Sequence, residues 1–257
     1  MLCARYNRYS ATSLLWQFLT GLVMISGNLV RGKPTIIESE CVGSILAFIR
    51  SSLRPTLLMT FMYGFSVAYY AMTRLPSVQI FRDLAMPHIG GVFFVYVIPS
   101  AIANLVVIRG VVTLTSDIAS MRASQELDVL EVARFHPSHF IFLPRALALI
   151  SGAPALFMLG VFATFFGAWT ACQFTFRPPL GDFWEQFIFS ITSWKASLAL
   201  FKVGLTASIM AFIAGYYGFE APLMHAESVG KTTTAAVVTA TLAITTINTL
   251  VGLYWTE

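Results

Sequence analysis

The run Ser228-Val229-Gly230-Lys231-Thr232 ends like a loop that cradles a nucleotide's phosphates, with a lysine to meet them and a threonine hydroxyl for magnesium. That chemistry needs a glycine five positions before Gly230 and a buried strand ahead of it. The position holds His225, and an apolar, membrane-length run follows Thr232. The chain is therefore not expected to hydrolyse ATP itself. His136 and His139 form a second candidate, an imidazole pair at the edge of an apolar run that could ligate a metal or act as acid and base on a lipid. No third ligand or carboxylate lies beside them at metal spacing, and Pro137 breaks any shared helical face, so interfacial polar residues are the plainer account. The third candidate is Lys202, an ammonium inside an otherwise apolar stretch. It reads either as a functional group at depth or as a side chain that snorkels or pairs structurally.

The elements that must carry these residues are those of a membrane protein. Of 257 residues, 57% are hydrophobic and only 11% charged, and the mean hydropathy is +0.75. A bilayer core of about 30 Å takes roughly 20 apolar residues per helix, so the chain has room for about five to seven spans and none for a soluble catalytic domain. The net charge of +4 is spread thinly, without the clustered basic face that nucleic acid requires. Cys3, Cys41 and Cys172 are far apart and odd in number, which predicts neither a disulfide framework nor a zinc site.

Hydropathy predicts an all-α integral membrane fold, an N-terminal interfacial helix followed by about five transmembrane helices. The apolar run Ser13 to Leu29, behind Arg5 and Arg8, resembles a signal peptide, but its interspersed polar residues suit an uncleaved helix in the membrane interface. A second apolar helix, Cys41 to Arg54, ends before Pro55, giving residues 1–54 as an N-terminal interfacial region and 55–257 as the main domain. Spans are predicted at Thr56 to Thr73, Leu84 to Ile108 with kinks at Pro87 and Pro99, Phe140 to Phe176 as one long helix kinked near Pro154, Ser193 to Tyr216, and Thr234 to Tyr254. An amphipathic segment begins near Asp182.

The most polar stretch lies between Arg109 and Pro137. Within it, at about 120–135, Leu127 and Leu130 fall three apart among Glu126, Asp128 and Glu131, the pattern of a short amphipathic helix. Such a helix is either an interfacial connector or a coupling helix that seats apolar anchors in a partner's groove. The bias of Lys and Arg places this loop and the N-terminus in the cytoplasm, and five spans then put the C-terminus outside.

At this segment the sequence resembles the MlaE permease family, the membrane subunits of ABC lipid transporters that work with MCE proteins. The matching residues are Arg109, Met121-Arg122-Ala123, Glu126 to Val132, Pro137 and Leu143-Pro144-Arg145. A second match near the C-terminus comprises Gly218, Val229-Gly230-Lys231, Thr233-Thr234 and Ala236-Val237-Val238. The similarity runs from about Ile89 to the end, the first eighty residues matching only in hydropathy. Two positions depart from the family: Tyr96 stands where an acidic residue is common, and the small-residue stretch after Arg109 is Gly110-Val111-Val112.

The resemblance implies a second permease copy, in a homo- or heterodimer, a cytoplasmic ABC ATPase holding ATP and magnesium, and a periplasmic MCE-domain protein. The chain itself would hold no cofactor and no metal, and would sit in a bacterial inner membrane. Glu126, Leu127, Leu130, Glu131 and Val132 would couple to the ATPase. Arg109, Arg122, Pro137, Pro144, Arg145, Gly230, Thr233 and Thr234 would be structural. A phospholipid or related lipid would lie between the first spans of the two copies, with Tyr69, Tyr70, Tyr96 and Pro99 expected along its path. Two other classes stand beside this one: a membrane enzyme modifying lipid through His136 and His139, and a scaffold without transport.

Overall fold

The computed structural model describes residues 14, 16, 18–20, 36–74, 97–132, 137–175, 180–221 and 226–254. Among these residues the chain is almost entirely helical, without strands. Helix α1 covers Ile36–Arg74 and α2 Ile98–Leu105. A π-helical turn, Val106–Val111, leads from α2 into α3, Val112–Ala123. The short α4 is Glu126–Val132. A second π-helical turn, Ser138–Phe142, opens α5, Leu143–Thr175. Then come α6, Leu180–Ser190, α7, Ser193–Glu220, and α8, Ala226–Tyr254. Among the described residues, five stretches are long and apolar enough to cross a membrane: 41–70, 98–123, 138–174, 193–220 and 229–251.

Two boundaries differ from those expected. The break at Pro55 is absent, and α1 runs through it. A proline costs one backbone hydrogen bond, and the turns beyond it are tied by hydroxyls: Thr56 donates to the Ser52 carbonyl at 2.5 Å and Thr60 to the Thr56 carbonyl at 2.7 Å. Arg109 does not end the second span, because nothing between it and Ser124 breaks a helix, and the span continues to Ala123. Pro99, where a kink was expected, is buried. It lies near the start of α2, just behind the π-helical Val97, and the residues on whose path a kink would show lie outside the described ones. The N-terminal interfacial helix falls mostly outside the described residues, although 14, 16 and 18–20 are helical with Leu14 and Phe18 buried. Residues 75–96 lie outside the description altogether, and Tyr96 with them.

The chain divides into two compact units. The first takes residues 1–50, 106–152 and 206–246, and the second 51–105, 153–205 and 247–257. In the first, glycines let helices meet closely. A side chain at Gly110 would enter Leu149, one at Gly215 would enter the Phe142 ring, and a Cβ at Gly218 would come within 2.8 Å of Ile118 Cβ. Phe142 also meets Phe18, Phe212 and Phe219 in an aromatic cluster with centroids 6.1 to 6.3 Å apart. The Thr115 hydroxyl donates to the Ala214 carbonyl at 3.3 Å.

In the second unit, Ser52, Thr56, Thr60, Gly64 and Ala68 recur every four residues along α1, all of them buried. This is a small-residue seam of the kind that packs helices where lipid removes the hydrophobic drive. It fits α5 backbone to backbone: a side chain at Gly64 would strike the Thr164 carbonyl, and one at Gly167 the Phe61 carbonyl. Thr164 donates to the Gly160 carbonyl at 2.8 Å and lies 3.2 Å from the Thr60 carbonyl.

Candidate functional site

The amphipathic connector resolves into α4, seven residues long. It is separated from α3 by Ser124 and Gln125 alone. Gln125 has φ of 62°, a left-handed conformation unusual for a residue with a side chain. That residue ends one helix and restarts the next in a new direction: Gln125 N–H donates to the Arg122 carbonyl at 3.1 Å, while its own carbonyl accepts from Asp128 N–H at 3.1 Å. The Ser124 hydroxyl lies 3.0 Å from Glu126 Oε1, which holds the acid at the helix start, where the dipole favours negative charge.

The new direction changes which residues face outward. Leu127 and Leu130 were the expected anchors for a partner's groove, but Leu127 is 5% exposed and Leu130 is half-buried. They hold α4 to its own chain. The outward apolar residues are Val129 and Val132, 69% and 86% exposed, with Glu126 exposed alongside. Val129 belongs to the same apolar pattern of this helix, with Ala133 four residues on, but spacing alone does not say whether it or Leu127 lies inside. Nothing is described of the Glu131 side chain.

The base of this site is braced by motif residues of the first unit. Arg145 Nη1 lies 3.0 Å from Asp117 Oδ2, joining the start of α5 to α3, the helix that carries α4. Both side chains are part-exposed, so the pair contributes at most about 1 kcal/mol and serves mainly to fix geometry. Pro144 lies just past the π-helical turn. With no N–H for the Phe140 carbonyl and a ring that crowds it, proline accounts for the widened winding there. Pro137 is buried at the head of that turn. Arg109 lies in the other π-helical turn, where its carbonyl accepts the Thr113 hydroxyl. Arg122 is half-buried in the last turn of α3.

The remaining candidates are scattered. Gly230, Lys231 and Thr232 lie in the first turns of α8, so a nucleotide's phosphates meet no strand-to-helix loop there. Among the described residues, nothing outside its own helix backbone lies within 4 Å of where a Cβ at Gly230 would stand. Thr233 and Thr234 donate to the carbonyls of Val229 and Gly230 at 2.8 and 2.9 Å. Lys202 is 3% exposed and does not snorkel out of the bundle. His139 is half-buried in the second π-helical turn, and His136 lies outside the described residues. Among the described residues no group of three His, Cys, Asp or Glu side chains could hold a metal. Tyr69 and Tyr70 are exposed near the end of α1, Tyr69 stacking on Phe65 at 6.1 Å, whereas Pro99 is buried.

Comparison with known proteins places this arrangement. The model of the family described as Permease MlaE matches residues 41–254, beginning well before the segment in which its motifs are legible. A probable ABC transporter permease protein of Rickettsia felis is 25% identical over 248 residues, covering 86% of this chain and 94% of the relative. Another, from Rickettsia conorii, is 24% identical over the same shares. With five membrane-length helices and a family match over most of its length, the chain belongs to the MlaE permease family and is a multi-pass membrane permease.

Proposed function

We propose that this chain is the membrane subunit of an ABC transporter that moves a phospholipid or related lipid between a bacterial inner membrane and a periplasmic MCE-domain protein. A separate cytoplasmic ATPase, holding ATP and magnesium, drives it. The observation that carries the reading is α4: a short helix tied to its own chain through Leu127, presenting Val129 and Val132 outward, and set between two membrane-length stretches. A short helix with apolar residues facing out and acids at its rim is suited to a groove on a partner. ATP binding in the partner would move α4, and the ion pair of Asp117 with Arg145 would carry that movement into α3 and α5.

A second permease copy, identical or homologous, completes the lipid path. The first and last spans are the least buried of the five. Their exposed residues are not purely apolar: Arg50, Arg54, Tyr69 and Tyr70 on α1, and Thr234, Thr241, Thr245, Thr246 and Thr249 on α8. Faces of that kind suit a protein partner or a polar cavity better than lipid tails. Gly230, open on its own chain, leaves room for close approach of another helix. In this arrangement the N-terminus and α4 are cytoplasmic, the C-terminus is periplasmic, and Tyr69 and Tyr70 flank the lipid with Tyr96 and Pro99 further along its path.

The test is lipid transfer from vesicles containing the permease and its ATPase to a soluble MCE acceptor. ATP-dependent transfer, lost when Val129 and Val132 are both replaced by aspartate, is the expected result. Transfer that persists without the ATPase, or is unchanged by the substitutions, overturns the proposal.

A further inference from the structure

Helix α6 presents an apolar surface that the transport reading does not use. At 100° per residue, Phe183 and Phe187 occupy one narrow strip, and Leu180, Trp184 and Ile188 form the adjoining strip, spread over about 80° of the helix. The chain covers only the first. Phe183 and Phe187 are buried with Phe165, Ala168, Ala171 and Cys172, their rings 5.4 and 5.3 Å from that of Phe165. Leu180, Trp184 and Ile188 are 46%, 39% and 47% exposed, while Phe189, 83% exposed, lies outside the strip, about 100° beyond Ile188. Trp184 touches Phe165 edge-on at 4.9 Å and is partly open on its other side. Gly181 and Glu185, also exposed, follow on the far side of the strip.

The chain itself limits what can cover this strip. Helix α6 has 11 residues, about 16 Å, too short to cross a bilayer. Only residues 191 and 192 separate it from α7, itself a membrane-length stretch, and they form a tight turn in which Ile191 N–H donates to the Ile188 carbonyl at 2.9 Å. The helix is therefore tethered at the mouth of a span. Trp194, in the first turn of α7, is 67% exposed, and tryptophan favours the level of the lipid headgroups. A short helix with an apolar strip, a polar flank and neighbouring tryptophans has the composition of a segment lying in the membrane interface.

We infer that α6 is an interfacial lipid-contacting helix whose Leu180, Trp184 and Ile188 enter the bilayer just below the headgroups, while Phe183 and Phe187 hold it to the bundle. In the chain, one membrane-length stretch, 138–174, separates it from α4. The inference rests on the membrane fold and is independent of which cargo is moved.

The test uses the full chain with Trp184 as its sole tryptophan, the other four replaced by phenylalanine, reconstituted into phosphatidylcholine vesicles. Bromine is carried either near the glycerol end of the acyl chains or near their methyl end. Shallow bromines are expected to quench Trp184 emission about twice as strongly as deep ones, as befits an interfacial depth. Stronger quenching by deep bromines would place α6 in the hydrocarbon core and overturn the inference. So would quenching by aqueous iodide without quenching by either lipid, which would place the strip in water or against a protein. Should the sole-tryptophan chain fail to fold, Trp184→Phe alone in the otherwise native chain provides the same reading, as a loss of the shallow-quenched fraction. An unchanged fraction then overturns the inference.

Discussion

Replacing Val129 and Val132 together by serine should weaken binding of the ATPase while leaving the permease folded. Full burial of a valine side chain is worth about 1.5 kcal/mol or more, and these two are 69% and 86% exposed in this chain. If docking covers them, their loss removes about 2 kcal/mol, roughly a thirtyfold weaker association. The permease loses nothing comparable, because neither side chain is buried against its own chain. Leu127→Ala provides the contrast. It removes a buried anchor of α4 and should cost about 2–5 kcal/mol of local stability, releasing the helix. The assay is titration of the purified ATPase onto the permease held in nanodiscs, with thermal unfolding of each variant measured in parallel. An affinity within threefold of the native value for the double serine variant would show that the outward face of α4 is not the docking surface.

Three further outcomes follow from the packing. Gly64→Leu should disrupt the seam between α1 and α5 at a cost of about 1–3 kcal/mol, because the obstacle is the Thr164 backbone carbonyl; Gly204→Ala, with open space around it, should be neutral or stabilising. Unfolding temperatures in detergent separate the two. Gln125→Gly should relieve about 1 kcal/mol of left-handed strain and Gln125→Val should add to it, so the glycine variant should melt higher and the valine variant lower than native. A double-mutant cycle on Asp117→Asn and Arg145→Gln should give a coupling of at most about 1 kcal/mol, reduced by salt; a larger, salt-insensitive value would mean that the pair is more buried than its exposure indicates.

The fold was legible in the sequence where hydropathy alone decides. Apolar runs bounded by Arg and Pro marked the five membrane-length helices, and the long apolar run containing Pro154 was read as a single helix, which it is. Boundaries were lost where a usual stop signal was overridden. Pro55 and Arg109 both sit inside continuous helical stretches, because neither a single missing donor nor one charge at a helix surface outweighs the bonds on either side. The position of α4 was visible as a polar stretch with paired leucines, but its rotation was not, because that depends on the left-handed turn at Gln125, which is not glycine and carries no composition signal. The close approaches at Gly64, Gly167 and Gly215 were equally hidden: a glycine in an apolar run reads the same whether a neighbouring helix or open space faces it. Gly230 makes the point in reverse, being a motif residue that no neighbour among the described residues requires to be small.

The most direct test of the central claim is native mass spectrometry of the tagged protein, gently extracted from its own membrane, with bound lipids identified in the same experiment. The account predicts a permease pair carrying two ATPase chains, an MCE-domain assembly and a phospholipid or related lipid. A solitary chain, or a complex that retains lipid but contains no ATPase, would contradict it.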